Sequence, residues 1–155
     1  MKTILITAIF TIGILSPIQS LAEATPTVEF NNSGAVLAKN MELPFSESVR
    51  VGHTLYLSGQ IGTVPGTLSL VKGGIKAETE QTMNNIKAVL EANGLSMKDI
   101  VKCTVMLSDM SEWPIFNEVY AKFFEKPYPA RSAFGTNGLA LGARTEVECL
   151  AVVRD

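Results

Sequence analysis

A chain of 155 residues, 46% apolar and 18% charged, is sized for one compact domain rather than a multi-domain machine. Thirteen Lys and Arg against 15 Asp and Glu leave a net charge of −2, with no cationic excess to neutralise a run of phosphates, so strong nonspecific nucleic-acid binding is disfavoured. Two cysteines are too few for a disulfide scaffold or a four-cysteine zinc site, and 7 Pro and 12 Gly in so apolar a chain argue against disorder.

The chain opens as an address rather than as fold. Lys2 precedes an uncharged apolar run from Ile4 to Leu15, followed by Ser16-Pro17 and the small residues Ser20, Ala22 and Ala24. This is the layout of a secretory signal peptide, expected over 1–22 with cleavage after Ala22, or alternatively after Ala24. The run is shorter than the roughly 20 residues that span a bilayer, so no stable membrane insertion is expected after cleavage. A periplasmic or secreted location follows from this reading. Residues 23–38 carry no clear period and read as an extended leader, with the folded domain over 39–155.

Within that domain, two short alternating runs flank Gly52-His53-Thr54 and predict a hairpin over 49–57, which Ser58-Gly59-Gln60 ends. Residues 63–74, rich in Gly, Thr and Pro, read as a loop. Met83, Ile86, Val89 and Leu90 at helical spacing predict a helix over 77–93, with Glu78 and Glu80 in its first turn and Gly94 just past its end. Alternation of Val101, Cys103, Val105 and Leu107 predicts a half-buried strand. A second helix is expected over 111–124, with Ser111 as N-cap, Pro114 in the first turn and a buried stripe of Phe116, Val119, Tyr120 and Phe123. Two further strands read over 130–134 and 144–153.

This order predicts an α+β fold with two helices on one face of a mainly antiparallel sheet. The last strand has Thr145, Val147, Cys149 and Ala151 on one side and Leu150 and Val152 among the residues on the other, so the second face needs a partner. Oligomerisation is therefore expected.

Candidate chemistry is sparse. A lone His53 at a hairpin turn supports neither a triad nor a metal site, and no phosphate-cradling glycine motif occurs. Asp109 and Glu112 read as cap and dipole partners of the second helix. Cys103 and Cys149 fall on inward strand positions, where a disulfide and a pair of buried thiols fit equally well. Arg131, in the middle of an otherwise apolar strand, calls for an anion, either a ligand carboxylate gripped in two places or an internal partner such as Glu146. Glu146 itself reads either as that partner or as a carboxylate placed to orient water.

Several segments together carry a family resemblance. Ser58-Gly59-Gln60-Ile61, Gln81-Thr82 with Asn85-Ile86, Val101-Lys102-Cys103-Thr104-Val105, the stretch from Phe116 through Asn117 to Phe124, Pro129-Ala130-Arg131-Ser132 and Glu146-Val147-Glu148 resemble the RidA/YjgF family of reactive-intermediate imine deaminases. The resemblance covers about residues 40–155. It implies a chorismate-mutase-like fold, a homotrimer whose sheets pack into a barrel, and clefts at the subunit interfaces. It further implies hydrolysis of 2-imino or enamine acids to 2-oxo acids and ammonia, without a cofactor; the absence of a ligand cluster and the slightly acidic balance read against a metal and a nucleic-acid partner. Arg131 matches the arginine that binds the substrate carboxylate, Glu146 the glutamate that positions water, Asn117 a cleft asparagine and Gly59 a backbone contact. Phe45 stands where the family usually has tyrosine, Ala133 where many members have cysteine, and 135–142 replaces a Val-x-x-Leu-Pro run. A noncatalytic trimer binding a small carboxylate or a protein is the alternative within the same fold.

Overall fold

The computed structural model describes residues 25–37 and 40–154. The expected signal peptide and both of its cleavage points lie outside the described residues. Among the described residues, no helix is long and apolar enough to cross a membrane.

The elements are β1 (Val28–Asn31), β2 (Ser48–Val51), β3 (Thr54–Leu57), β4 (Gln60–Ile61), α1 (Gly74–Ala92), β5 (Ile100–Leu107), α2 (Trp113–Tyr120), β6 (Ala130–Gly135) and β7 (Thr145–Val152). They build one sheet in the order β1-β2-β3-β7-β5-β6, with β4 also paired to β7. Every pairing is antiparallel except β5 with β6, which α2 connects as a crossover. The fold is thus α+β and mainly antiparallel.

The core lies on the face that carries the helices. Leu55, Leu57, Val105, Val147 and Ala151 from the strands meet Met83, Ile86, Val89 and Leu90 of α1 and Phe116 and Tyr120 of α2 in one buried cluster. Each Val, Leu, Ile, Met or Phe among them contributes about 1.5–3 kcal/mol by leaving water. On the opposite face, register sets Phe30 beside Val49, Val49 beside Tyr56, and Tyr56 beside Leu150. Phe30 is 72% and Tyr56 47% exposed, so this row stands uncovered in a single chain.

Four local expectations are corrected. Val28–Asn31, inside the expected 23–38 leader, pairs with β2, so the fold begins before residue 39; an edge strand needs only one partner's hydrogen bonds and shows no buried alternation. The first helix starts at Gly74, a turn before the expected residue 77, because Ile75 is buried and anchors it. Glu78 is therefore buried rather than a first-turn charge, and accepts from the Arg144 backbone N–H at 2.8 Å. At the helix's far end Gly94 (φ 73°) allows the reversal, Gly94 N–H bonding Glu91 O and Leu95 N–H bonding Leu90 O.

A register shift between Ile100 and Lys102 turns Val101 out to 40% exposure and puts Ile100 in the core instead. Finally, Ser111 is not the cap of the second helix. A single 3-10 turn over Met110–Glu112 precedes α2, and Asp109 caps it by accepting from Ser111 N–H at 2.8 Å. α2 itself ends at Tyr120, and Phe123 is only half-buried.

A disulfide joins Cys103 to Cys149 across β5 and β7, with Cα atoms 4.1 Å apart and both residues buried. The bridge spans a sequence separation of 46, so constraining the unfolded chain contributes about 4 kcal/mol by the loop-entropy relation. Replacing both cysteines by alanine is expected to remove about that much unfolding free energy, read from urea denaturation against the oxidised protein.

Candidate active site

α2 and β6 build the first half of the site. Trp113, Asn117 and Tyr120 fall three or four residues apart, on one face of α2. That face lies against Arg131, which β6 holds in register with Cys103. The Arg131 guanidinium carbon sits 4.6 Å from the centroid of the Trp113 ring and 4.7 Å from that of Tyr120. Asn117, Tyr120, Ala121, Tyr128 and Pro129 wall a cavity of 360 Å³ with it. Arg131 is exposed on the edge strand, which removes the desolvation cost that a central position would impose. Among the described residues it has neither an ion pair nor a hydrogen bond, so its N–H fork is available to an anion. Burial pushes the neighbouring Tyr120 phenol up to about 12, against a smaller opposing pull from Arg131.

β4 and β7 build the second half. Glu146 is half-buried, and a methyl group at Gly59 would overlap Glu146 Oε1 and lie 2.9 Å from its carboxyl carbon, so the carboxylate rests directly over the glycine. Burial, and then the charge of Glu148 two residues along the same face, raise the Glu146 carboxyl above its ordinary value of 4.5. Ser58 pins the turn from its other side, donating Oγ–H to Ser46 O and N–H to Glu47 O. Glu47 is itself buried and accepts from Ser33, Gly34, Val36 and Leu37, hydrogen bonds that hold its carboxyl below the usual range even though burial, the largest influence, pulls it upward. Residues 33–37 are thereby tied to the Gly59 turn.

In one chain the two halves do not meet. Arg131 projects on the helix side of the sheet with its neighbour Cys103, whereas Glu146 pairs with Met106 on the open side. An internal Arg131–Glu146 ion pair is accordingly not formed. Ala133 shares Arg131's side of β6 but packs against the core rather than lining the cavity. Phe45, 49% exposed, borders a separate 250 Å³ cavity with Leu37, Met41 and Glu47. The site thus brings Arg131 to Asn117 and Glu146 to Gly59, and leaves Phe45 and Ala133 outside both groups. Trp113, Tyr120 and Tyr128 were absent from the sequence-derived site; the only signal for the first two was their seven-residue spacing on one helix face. Among the described residues, no group of three or more His, Cys, Asp or Glu is placed to hold a metal ion.

The small α+β domain that carries these two groups has a fold shared with solved structures and a sequence shared with known proteins. The family model described as Endoribonuclease L-PSP matches residues 37–153. The 2-iminobutanoate/2-iminopropanoate deaminase of Dermatophagoides farinae is 43% identical over 110 residues, 71% of this chain and 86% of that one. The protein of the same name from Bos taurus is 39% identical over 109 residues, 70% of this chain and 80% of its own. The crystal structure of RidA from the Antarctic bacterium Psychrobacter sp. PAMC 21119 superposes with a TM-score of 0.72 at 39% identity, covering 80% of this chain and 98% of that one. The chain belongs to this family, the RidA/YjgF proteins.

A base that works only when ionised imposes a pH signature. With Glu146 raised, kcat/KM for a reaction it serves as base falls on the acid side at a pH above the ordinary glutamate value of 4.5. Glu148→Gln removes the like charge, lowers the Glu146 pKa and shifts that acid limb to lower pH, to be read from kcat/KM profiles of the two proteins.

Proposed function

We propose that this protein is a cofactor-independent hydrolase that converts reactive 2-imino and enamine acids to 2-oxo acids and ammonia. One observation carries the reading: Arg131 presents a guanidinium fork at a cavity with no ion pair among the described residues, in a chain 43% identical over 110 residues to a protein named 2-iminobutanoate/2-iminopropanoate deaminase. The fork takes the substrate carboxylate in two places and thereby orients the adjacent C=N carbon. Glu146, as carboxylate, accepts a proton from water as the water oxygen bonds to that carbon and the C=N π electrons move to nitrogen. The proton passes to the nitrogen of the resulting carbinolamine. With the substrate entering as the protonated imine, that transfer makes the nitrogen an ammonium; the C–N bond then breaks with its electrons leaving on ammonia, and the hydroxyl proton passes to the Glu146 carboxylate as the carbonyl forms. Asn117, beside Arg131, supplies an amide for the substrate, and Gly59 a backbone contact.

Since Arg131 and Glu146 lie on opposite faces of one sheet, the reading requires that Arg131 of one protomer meet Glu146 of another, and the assembly proposed is a homotrimer. The uncovered row of Phe30, Val49, Tyr56 and Leu150 supports such packing. The mature protein acts outside the cytoplasm, in the periplasm or secreted, a reading that the leader sequence and the Cys103–Cys149 disulfide support. The test generates 2-iminobutanoate in place from an amino acid and follows ammonia and 2-oxobutanoate with and without the protein, alongside analytical ultracentrifugation. Acceleration by a trimer is expected. An unchanged rate of imine hydrolysis overturns the catalytic assignment.

A further inference from the structure

We infer that Trp113 is a positioning residue for carboxylate capture: with Tyr120 it brackets the Arg131 guanidinium and fixes the orientation in which its fork meets the ligand. This inference rests on the carboxylate-binding role proposed above and adds to it what holds the arginine ready.

An arginine on an exposed edge strand is free to sample many rotamers, and a ligand that needs one of them must first freeze the rest. In most ion pairs an acidic neighbour does the orienting. Arg131 has no such neighbour among the described residues; two aromatic rings stand in its place, 4.6 and 4.7 Å from the guanidinium carbon. The difference matters for function. A carboxylate would hold the arginine by occupying its N–H donors and cancelling its charge. A ring attracts the cation through its π face and leaves in-plane donors for an incoming anion.

The bracket is itself rigid. Trp113 and Tyr120 lie seven residues apart, two turns along one face of α2, and Phe116 between them is fully buried. Phe116 stacks on Trp113 at 5.9 Å and on Tyr120 at 5.5 Å, with interplanar angles of 18° and 29°. Phe124 closes the row 4.8 Å from Tyr120. Neither bracketing ring can swing away without repacking this row, so the guanidinium meets a fixed surface. Trp113 is also the chain's only tryptophan, which makes its fluorescence a direct reporter of events at Arg131.

The test uses 2-oxobutanoate as a binding probe and 2-iminobutanoate as substrate. Trp113→Leu is expected to weaken calorimetric binding of 2-oxobutanoate about tenfold and to raise KM by the same factor, with kcat within about twofold of wild type. Trp113→Phe, which keeps a ring face, is expected to recover most of both losses. In an Arg131→Ala background the Trp113→Leu change is expected to have no further effect on binding, the mark of a residue acting through the arginine. Saturable quenching or shift of the wild-type fluorescence by 2-oxobutanoate, absent in Arg131→Ala, is expected as well and does not depend on any Trp113 variant folding. Wild-type binding and KM in Trp113→Leu, or a wild-type fluorescence that 2-oxobutanoate leaves unchanged, overturns the inference while leaving deamination intact. Binding that depends on Trp113 in a protein that hydrolyses no imine sustains the inference and overturns the catalytic reading.

Discussion

Arg131→Ala is expected to lower kcat/KM for 2-iminobutanoate by about 10²- to 10⁴-fold while leaving thermal stability and assembly state unchanged. The magnitude follows from two charge-assisted hydrogen bonds at about 1.5–3 kcal/mol each, with about 1.4 kcal/mol for every tenfold in rate. The stability half follows from the structure: Arg131 is exposed, and among the described residues no acid is left unpaired by its removal. What is lost in the fold is the contact of the guanidinium with two rings that Phe116 continues to hold. Arg131→Lys is the sharper comparison. It keeps the charge but has no planar fork and a point charge in place of a flat face to lie on Trp113 and Tyr120, so it recovers only part of the activity. Steady-state rates together with melting temperatures check both halves. Turnover equal to wild type in Arg131→Ala removes this side chain from the mechanism.

Sequence periodicity made the buried parts of this fold readable and failed where a residue's surroundings come from distant chain. Cys103, Val105 and Leu107, or Thr145, Val147, Cys149 and Ala151, alternate because a strand with one face on helices must, and each is buried as expected. Val101 obeys the same alternation yet faces out, because the register slips beside it and Ile100 takes its place. That slip depends on how β5 meets β7, nearly fifty residues on. The site divides in the same way. Arg131 and Glu146 stand out by residue type and by family motif. That they lie on opposite faces follows from the registers on β5, which set Arg131 beside Cys103 and Glu146 beside Met106, an odd number of residues apart, and their own spacing does not contain those registers. Trp113 and Tyr120 carry no chemical signature of their own. They matter because a strand arriving ten residues later lays an arginine across them.

Gly59→Ala is expected to remove most activity with little cost to the fold, and the reason is local. Gly59 is not among the glycines with positive φ, so its backbone conformation is open to any residue, and an alanine there is not strained. The obstacle is the Glu146 side chain. An added Cβ overlaps Oε1 and stands 2.9 Å from Cδ and 3.1 Å from Cγ, so the carboxylate must rotate off the turn. Being a half-buried side chain at the sheet surface, Glu146 can move where a backbone atom could not. The overlap is therefore relieved by displacing the Glu146 carboxylate, the proposed base, rather than by unfolding the turn, which Ser58 and Gln60 continue to hold. Loss of a positioned general base lowers kcat by about 10²- to 10⁴-fold. KM is expected to change far less, because Arg131, the proposed carboxylate ligand, is untouched. Glu146→Gln is expected to produce the same drop, and the double variant no more than either alone, since both changes remove one function. Steady-state kinetics on the three proteins read the cycle. Additive losses would mean that Gly59 acts on the substrate through something other than Glu146, and full activity in Gly59→Ala would mean that the carboxylate is not required over this turn.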